Sequence, residues 1–460
     1  MTRRELIRLS LLSSLAALAC RKSPMGDTQP DEMTSTPEPL GLGPLLSSSS
    51  GLLDLPSGFS AVLIQQAHDL MSCGNKVPGQ PDGMTCHVNA AGHYVLLRNH
   101  ELSTASWCEK PDIGLQTDIF AGGSHPEEAY DSEMYGSVTR VVLQPESLLR
   151  ALTEGAPAAE AVLSSNLVLT GTEFNCSGGK IEGGWITCEE TDREQHGYAF
   201  LTRVDDDALV VARERRIESW GRMKREGITL HPETGHVFMT EDHKNGSMYR
   251  FVPDDPSDFM GPGELQAMVL TGLTDTDPEE PLTEGSQWSV RWIRVPDPQA
   301  SESPCRDQAR ALGAARFNRC EGSVWDGESL WFIASTAGPV HGGQIYRYEP
   351  VSQTLTLCVQ VTDRSILSMP DNLTLAPWGD LILAEDNYNN EGGATHQHLR
   401  VLRRDGSIID LARNPENRSD HPGAEISGPC FSPDGRVLFV NIQRFRNLTV
   451  AITGPWEKLG

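Results

Sequence analysis

The sequence predicts an all-β fold, a six-bladed β-propeller with inserted loops, and three observations carry that prediction. Short runs of β-branched and aromatic residues alternate with Gly, Asp and Pro turns, while long amphipathic helical patterns are scarce. One unit recurs along the chain: a small or acidic entry, an apolar strand, a turn, a second strand, and often an acid where that strand ends. From Cys176 to Glu226, from Glu321 to Asp371 and from Asp371 to Glu425 the unit repeats at about 50 residues, near the length of a four-stranded blade.

In chain order, residues 1–20 read as an export signal. Arg3, Arg4 and Arg8 precede an apolar run, Leu9 to Ala19, that is too short to span a bilayer. TRRELIR resembles a twin-arginine signal. The ending ALAC resembles a lipoprotein cleavage box with Cys20 as the lipidated residue. The expected location is therefore the periplasm, free or tethered to the membrane through Cys20. Residues 21–52, rich in Pro, Ser, Gly and Thr, read as a flexible tether. Residues 53–460 form the propeller domain, expected as a monomer.

Within that domain the copies follow in order. AGHYVLLRNHE leads to YGSVTRVVL, a copy with a divergent start, and FNCSGGKIEGGWITCEE leads to YAFLTRVD. REGITLHPETGHVFMTEDHKNGSMYRFVP is the third copy, and CEGSVWDGESLWFIASTAG with GGQIYRYEP the fourth. PDNLTLAPWGDLILAEDNY with HLRVLRRDG, then EISGPCFSPDGRVLFVNIQ, complete the set. The turns PETG, APWG and SPDG favour chain reversal.

In a propeller the innermost strands all start at one end of a central channel. Cys176, Glu226, Glu321, Asp371 with Asn372, and Glu425 are therefore expected to converge there. The neighbouring strands return to the same mouth and bring Glu101, Glu189, Glu190, Glu241, Asp242, Glu385, Asp386 and Asn441. So many carboxylates repel one another unless cations compensate them, which reads as a metal site. Asp205, Asp206 and Asp207 form a charge run in a hairpin and read as solvated surface.

The net charge of −25 argues against nucleic acid as a partner. Oxygen ligands alone would suit calcium or magnesium, whereas a thiolate at Cys176 adds a softer or more highly charged metal. A disulfide from Cys176 to Cys188 or Cys320 is the alternative. Cys73 with Cys86, and Cys305 with Cys320, bracket loops in the same way and stand as candidate pairs. Arg319, two residues before Glu321, stands as a grip on a phosphoryl oxygen or as a counter-charge to the acids. Lys180 and Arg225 are weaker candidates for the same role.

NCSGG with GGWITCEE, REG and TED, CEG before WFIASTAG, PDNLTLAPWGDLILAED and EISGPCFSPDGRVLFVNIQ together resemble the PhoX alkaline phosphatase (DUF839) family across roughly residues 90–445. The resemblance implies a six-bladed propeller with an iron and calcium cluster (Fe3+, Ca2+) at the channel mouth, acting on small phosphate monoesters outside the cytoplasm. It assigns Cys176 as an iron ligand, Glu226 and Glu321 as metal-binding glutamates and Arg319 as a phosphate contact. Glu189, Glu241, Asp242, Glu385 and Glu425 fall in other motifs of the family. Two departures stand out: KIEGG where the family has a longer insertion, and Arg225 where a His is common.

The activity that the resemblance implies is metal-assisted phosphoester hydrolysis, and no convincing Ser/His/Asp set stands beside it. Two rivals are a calcium-dependent lactonase or sugar-ester hydrolase using Glu226, Asn372 and Asp242, and a non-catalytic, surface-tethered propeller that binds a protein or glycan. Aromatic residues clustered on an outer face would favour the latter.

Overall fold

The computed structural model describes residues 41–48, 50–387, 396–416 and 423–459. The export-signal reading, with Cys20, lies outside the described residues. Among those described, no helix is long and apolar enough to cross a membrane.

The chain opens with β1 (Ser60–Gln66) and then runs as successive antiparallel meanders. The first is β2 (Pro81–Val88), β3 (Tyr94–His100), β4 (Gly136–Leu143) and β5 (Val162–Thr172). The second is β6 (Asn175–Ile181), β7 (Gly184–Glu189), β8 (Ala199–Arg203) and β9 (Arg216–Ile217). There follow β10 (Arg225–Leu230), β11 (Val237–Glu241), β12 (Met248–Pro253), β13 (Gly263–Leu270) and β14 (Gln287–Arg294). Next come β15 (Cys320–Trp325), β16 (Leu330–Ala334), β17 (Gln344–Glu349) and β18 (Thr354–Gln360), then β19 (Pro370–Leu375), β20 (Leu381–Glu385), β21 (His398–Leu402) and β22 (Ile408–Arg413). The last strands are β23 (Ile426–Phe431), β24 (Leu438–Ile442) and β25 (Leu448–Thr453).

The arrangement is all-β and propeller-like. Among the described residues, four sheets have four strands each. The fifth has nine, because β14 pairs with β18 and joins the meander β10–β13 to the meander β15–β18. In the last sheet β1 pairs with β25, with Ser60 opposite Thr453, so the start of the domain completes the sheet made by its end.

Every meander contributes its first strand to the middle. β2, β6, β10, β15, β19 and β23 neighbour one another in that cyclic order. They line one channel of about 280 Å³. The second strands, such as β16 (LWFIA), β20 (LILAE) and β24 (LFVNI), are largely buried and read as near-continuous apolar runs, whereas the central strands are rich in small and polar residues, as in NCSGGKI and REGITL. In β7, Ile186 and Cys188 enter the apolar layer shared with β10 and β11, while Trp185 enters the layer shared with β3 and β5. Such layers fill the space between consecutive sheets, as where Ile382, Leu399 and Val401 meet Leu438, Val440 and Val450. Burial at this density is the main stabilising term, at roughly 1.5–3 kcal/mol per large apolar side chain.

Packing begins earlier than the expected start at Leu53. Leu46 bridges to Leu55, and Leu42 and Leu52 lie against the apolar layer of the last sheets. The cysteine expectations are corrected. Cys73, Cys86, Cys108, Cys176, Cys188, Cys305, Cys320, Cys358 and Cys430 are all free thiols. Cys73 is exposed while Cys86 is buried, and Cys305 and Cys320 sit in different apolar layers on opposite faces of a meander. Cys188 points into the core from β7, away from Cys176.

Candidate metal centre

A β-bulge interrupts the start of every central strand, and the bulges build the site. The ladder skips between Pro81 and Met84, Asn175 and Gly178, Arg225 and Ile228, Cys320 and Ser323, Pro370 and Asn372, and Ser427 and Cys430. A bulged residue leaves the ladder and is re-aimed. Asp82, Cys176, Glu226, Glu321 and Asp371 are the residues so released, each one step past the last paired position. All five are buried.

Glycines let these bulges crowd together. A Cβ on Gly83 would lie 2.8 Å from the Cys176 carbonyl, and one on Gly322 would lie 2.8 Å from the Asp371 carbonyl. On Gly227 it would meet Ser323 N at 2.7 Å, and on Gly428 the Asp82 carbonyl at 2.3 Å. Asn372 Oδ1 accepts from Gly428 N at 2.7 Å and ties β19 to β23. Absent side chains thus form a collar that presses neighbouring strand entries into backbone contact.

The returning strands follow an equally regular rule. The last ladder residue opposite each entry faces the space between sheets, and the next residue reaches the mouth. His100, Glu189, Glu241 and Glu385 hold the first position, opposite Pro81, Asn175, Arg225 and Pro370. Glu101, Glu190, Asp242 and Asp386 hold the second.

The structure therefore separates the members of each acid pair. Glu189 accepts from His196 Nδ1 (2.6 Å) and from the backbone of Glu173, Gly197 and Tyr198. Glu241 accepts from Tyr249 Oη (2.6 Å) and Arg306 Nη1 (2.9 Å). Glu385 accepts from Arg400 Nε (3.0 Å) and from the backbone of Ser368 and His398. These oxygens are engaged in latching sheets together, and the structure does not bring Glu189, Glu241 and Glu385 to the ring of acids.

At the mouth, two overlapping groups have ligand atoms within 4.8 Å of one another: Asp82, Glu101 and Cys176, and Cys176, Glu190 and Glu226. Cys176 belongs to both. Its Sγ donates to Asp82 Oδ2 at 3.4 Å. Gln443 Nε2 donates to Asp82 Oδ2 (2.8 Å) and to Glu101 Oε2 (2.9 Å). Asp82 Oδ1 and both oxygens of Glu226 are buried with no hydrogen-bond partner. An orphaned buried carboxylate is costly unless something positive sits on it.

The electrostatics report the same deficit. Burial, then the charges of Glu190 and Asp371, push the Glu226 carboxyl well above its usual range. Burial followed by Glu101 and Asp371 raises Asp82, and burial followed by Asp242 raises Glu190 and Glu321. Burial and Asp386 raise Glu425, and they push Asp371 up to about 7. Burial raises Glu101 against the pull of Arg444. The Cys176 thiol is pushed up by burial, then by Asp82 and Glu226. Asp242 goes the other way: burial opposes it, but Arg319 and Lys224 outweigh burial and hold it low.

Three cations answer part of the charge. Arg319 binds Asp242 with Nε (2.9 Å) and Nη2 (3.2 Å), and Nη2 lies 2.9 Å from Glu321 Oε1. Lys224 Nζ donates to Glu190 Oε1 at 2.7 Å and lies 4.0 Å from Asp242. Arg444 is held in its charged form by Glu425, Asp386 and Glu101 against the cost of burial. Lys224, Arg444, Gln443 and Asp82 are the residues that sequence reasoning missed. PDG at 81–83 occupies the place of PDN at 370–372, and that parallel would have found Asp82.

The family model described as alkaline phosphatase PhoX matches residues 40–445. The chain belongs to the PhoX family. As a PhoX chain it is a phosphomonoester hydrolase of alkaline phosphatase type. Its fold is similar to that of Pseudomonas fluorescens PhoX, solved in complex with vanadate, a transition state analogue. The TM-score is 0.62 at 16% identity, covering 89% of this chain and 97% of that one. A gluconolactonase from Xanthomonas campestris aligns at a TM-score of 0.41 and 11% identity over 90% of this chain and 98% of that one, which is too loose to carry an argument. No curated protein matches the chain.

One departure from the PhoX pattern acquires a physical account. Arg225, where the family commonly has a His, turns its guanidinium away from the acids and donates to the carbonyls of Gly197, Trp220 and Gly221. Lys180 donates to the Cys86 carbonyl and lines the channel beyond the collar, so it too stands apart from the acid ring.

Proposed function

We propose that this chain hydrolyses small phosphate monoesters with an iron and calcium cluster at the mouth of the channel. The observation that carries the reading is the pair of donor groups sharing Cys176, beside the partnerless carboxylate of Glu226. The donor set fits the metals: a thiolate suits a transition metal, and the surrounding carboxylates suit calcium. Cys176, Asp82, Glu101, Glu190 and Glu226 would hold the ions nearest the collar. Glu321, Asp371, Asp386 and Glu425 would complete the set, and Asp242 would act with Arg319. Bound there, such ions supply Lewis-acid polarisation of a phosphoryl oxygen.

The chain's own residues do the rest. Arg319 presents a planar fork beside the acids, suited to a tetrahedral oxyanion, and Asp242 and Glu321 fix its orientation. Lys224 and Arg444 lower the negative potential that an incoming phosphate must cross. Burial of the acids keeps competing water from screening these charges.

The nine-stranded sheet counts as two blades bridged by β14, which makes six blades in all. Residues 1–20 direct export by the twin-arginine route, and the protein works as a periplasmic monomer, free or tethered by lipid on Cys20. Replacing Arg3 and Arg4 together by Lys should leave precursor in the cytoplasm, and export at the normal rate would reject that route. Elemental analysis of purified protein tests the centre: iron with calcium supports it, and calcium alone or no metal rejects it.

A further inference from the structure

The residue just before each central strand holds one place in a ring at the mouth: Gln80, Phe174, Lys224, Arg319, Met369 and Glu425. The carbonyl of each accepts from the first N–H past the returning strand of its own meander. Phe174 accepts from Glu190 (2.9 Å) and Arg319 from Ser335 (2.8 Å), and the other members follow the same rule. Lys224, Arg319 and Glu425 belong to the charged mouth, while Gln80 and Met369 are buried. Phe174 is the apolar member that stays partly exposed.

Phe174 and Arg319 match in more than position. Both backbones are left-handed, with φ of 48° and 53°. Both donate their N–H to the residue that follows the mouth acid of the preceding meander. Phe174 donates to the Leu102 carbonyl (2.7 Å), past Glu101, and Arg319 to the His243 carbonyl (3.1 Å), past Asp242. With φ and both backbone bonds shared, the two Cα–Cβ bonds leave the chain in the same direction relative to the channel. Arg319 thereby reaches Asp242 of the preceding meander and Glu321 of its own. The corresponding neighbours of Phe174 are Glu101 and Cys176, two members of one donor group.

A bulky side chain in the left-handed region costs free energy that glycine would not, and strain of this kind gathers at functional sites. The Phe174 ring meets the edge of Trp107 with centroids 5.1 Å apart. Trp107 is itself partly exposed and rests on the small apolar cluster around Leu102 and Cys108. The two rings form an apolar shelf beside the acids of the mouth.

We propose that Phe174, backed by Trp107, is a specificity-determining residue that packs against an aromatic group on the alcohol of the phosphate monoester. The phosphoryl group then sits among the acids and Arg319, so the inference rests on the reading of the mouth as the seat of hydrolysis. An aromatic face takes up another ring by offset or edge contact and removes apolar surface from water. A short alkyl group gains little there. The preferred substrates are accordingly monoesters whose alcohol carries an aromatic ring.

The test compares 2-phenylethyl phosphate with ethyl phosphate as substrates of the purified full chain. Both leaving groups are primary alkoxides of similar basicity, so a difference in kcat/KM reports recognition rather than intrinsic reactivity. The wild-type protein should favour the phenylethyl ester at least about 10-fold. Calorimetry with the two matching phosphonates should show the same preference without turnover. In Phe174→Gly, which suits the left-handed backbone, the ratio should fall to near unity, and Phe174→Tyr should restore it. Equal values for the two compounds in either assay, or a preference that survives Phe174→Gly, overturns the shelf. The phosphatase reading then stands, because phosphate is still released. Release from neither ester overturns both.

Discussion

The Cys176 thiol donates to Asp82 Oδ2 across 3.4 Å, joining the bulged entries of two adjacent central strands. Neither residue touches the other through sequence or ladder. They meet because Gly83 lets the β2 backbone settle against the Cys176 carbonyl. The hydrogen in this contact is the one a metal would displace, since the thiolate is the ligand form.

Cys176→Ala is accordingly expected to leave the fold intact and remove the transition metal with any charge-transfer colour. Asp82→Asn should weaken metal retention while sparing the thiol. Metal analysis and absorption spectra read both outcomes, and unchanged iron in Cys176→Ala would reject the assignment.

The two members of an acid pair should respond differently. Asp242→Asn removes an anchor of Arg319 and should reduce turnover. Glu241→Gln weakens a buried contact with Arg306 and Tyr249, and breaking such a pair costs on the order of 3–5 kcal/mol. Its effect should appear in thermal unfolding, with metal content retained in the folded fraction. Equal effects of the two variants on turnover and stability would contradict the separation.

That separation also shows what the sequence could and could not say. The repeat and its turns made the propeller-like arrangement legible, and the entries Cys176, Glu226, Glu321 and Asp371 were legible as strand starts. Pairs such as Glu189–Glu190 were not resolved, because both residues look alike in composition. Only the register, with Asn175 opposite Glu189, tells which one faces the layer between sheets. Lys224 and Arg444 carry no motif and reach the mouth from positions flanking the strands. The disulfide expectations rested on loop length, whereas residue pairs such as Cys305 and Cys320 are parted by the apolar layers they fill.

The glycine collar makes its own prediction. Gly322→Ala would place a methyl group 2.8 Å from the Asp371 carbonyl and 2.9 Å from Leu373. Overpacking of this kind costs about 1–3 kcal/mol. Because the displaced backbone carries Glu321 and Asp371, cation affinity should fall as well. Gly122→Ala, whose added carbon meets nothing within 4 Å, serves as the control. A Gly322→Ala protein with wild-type melting temperature and cation affinity would remove the collar from the account.

The raised carboxyls fix a pH dependence for the metal-free protein. A carboxyl with a higher pKa in the folded chain than in the unfolded one favours the fold most at low pH, and that contribution is lost as pH rises through the folded value. Asp371, moved from an ordinary value near about 3.9 to about 7, places the loss between about pH 4 and 7. The chelated protein should therefore melt at lower temperature as pH rises across this range. Added cation should flatten the curve by compensating the ionised groups. The low-lying Asp242 contributes in the opposite sense, but in a more acidic window. A metal-free melting temperature that rises steadily from about pH 5 to 8 would contradict the reading.

Arg319→Lys distinguishes a phosphate grip from a simple counter-charge. An ammonium keeps the charge near Asp242 and Glu321 but loses the planar fork. Turnover should fall on the order of 10²-fold with a smaller change in ground-state binding. Near-wild-type kinetics would assign Arg319 to neutralising the acids alone.

The central claim is tested most directly by measuring inorganic phosphate released from a phosphate monoester by the purified protein loaded with iron and calcium, at neutral to alkaline pH. Steady release that a strong chelator abolishes is the expected result. Metal-loaded protein that opens lactones yet releases no phosphate would contradict it.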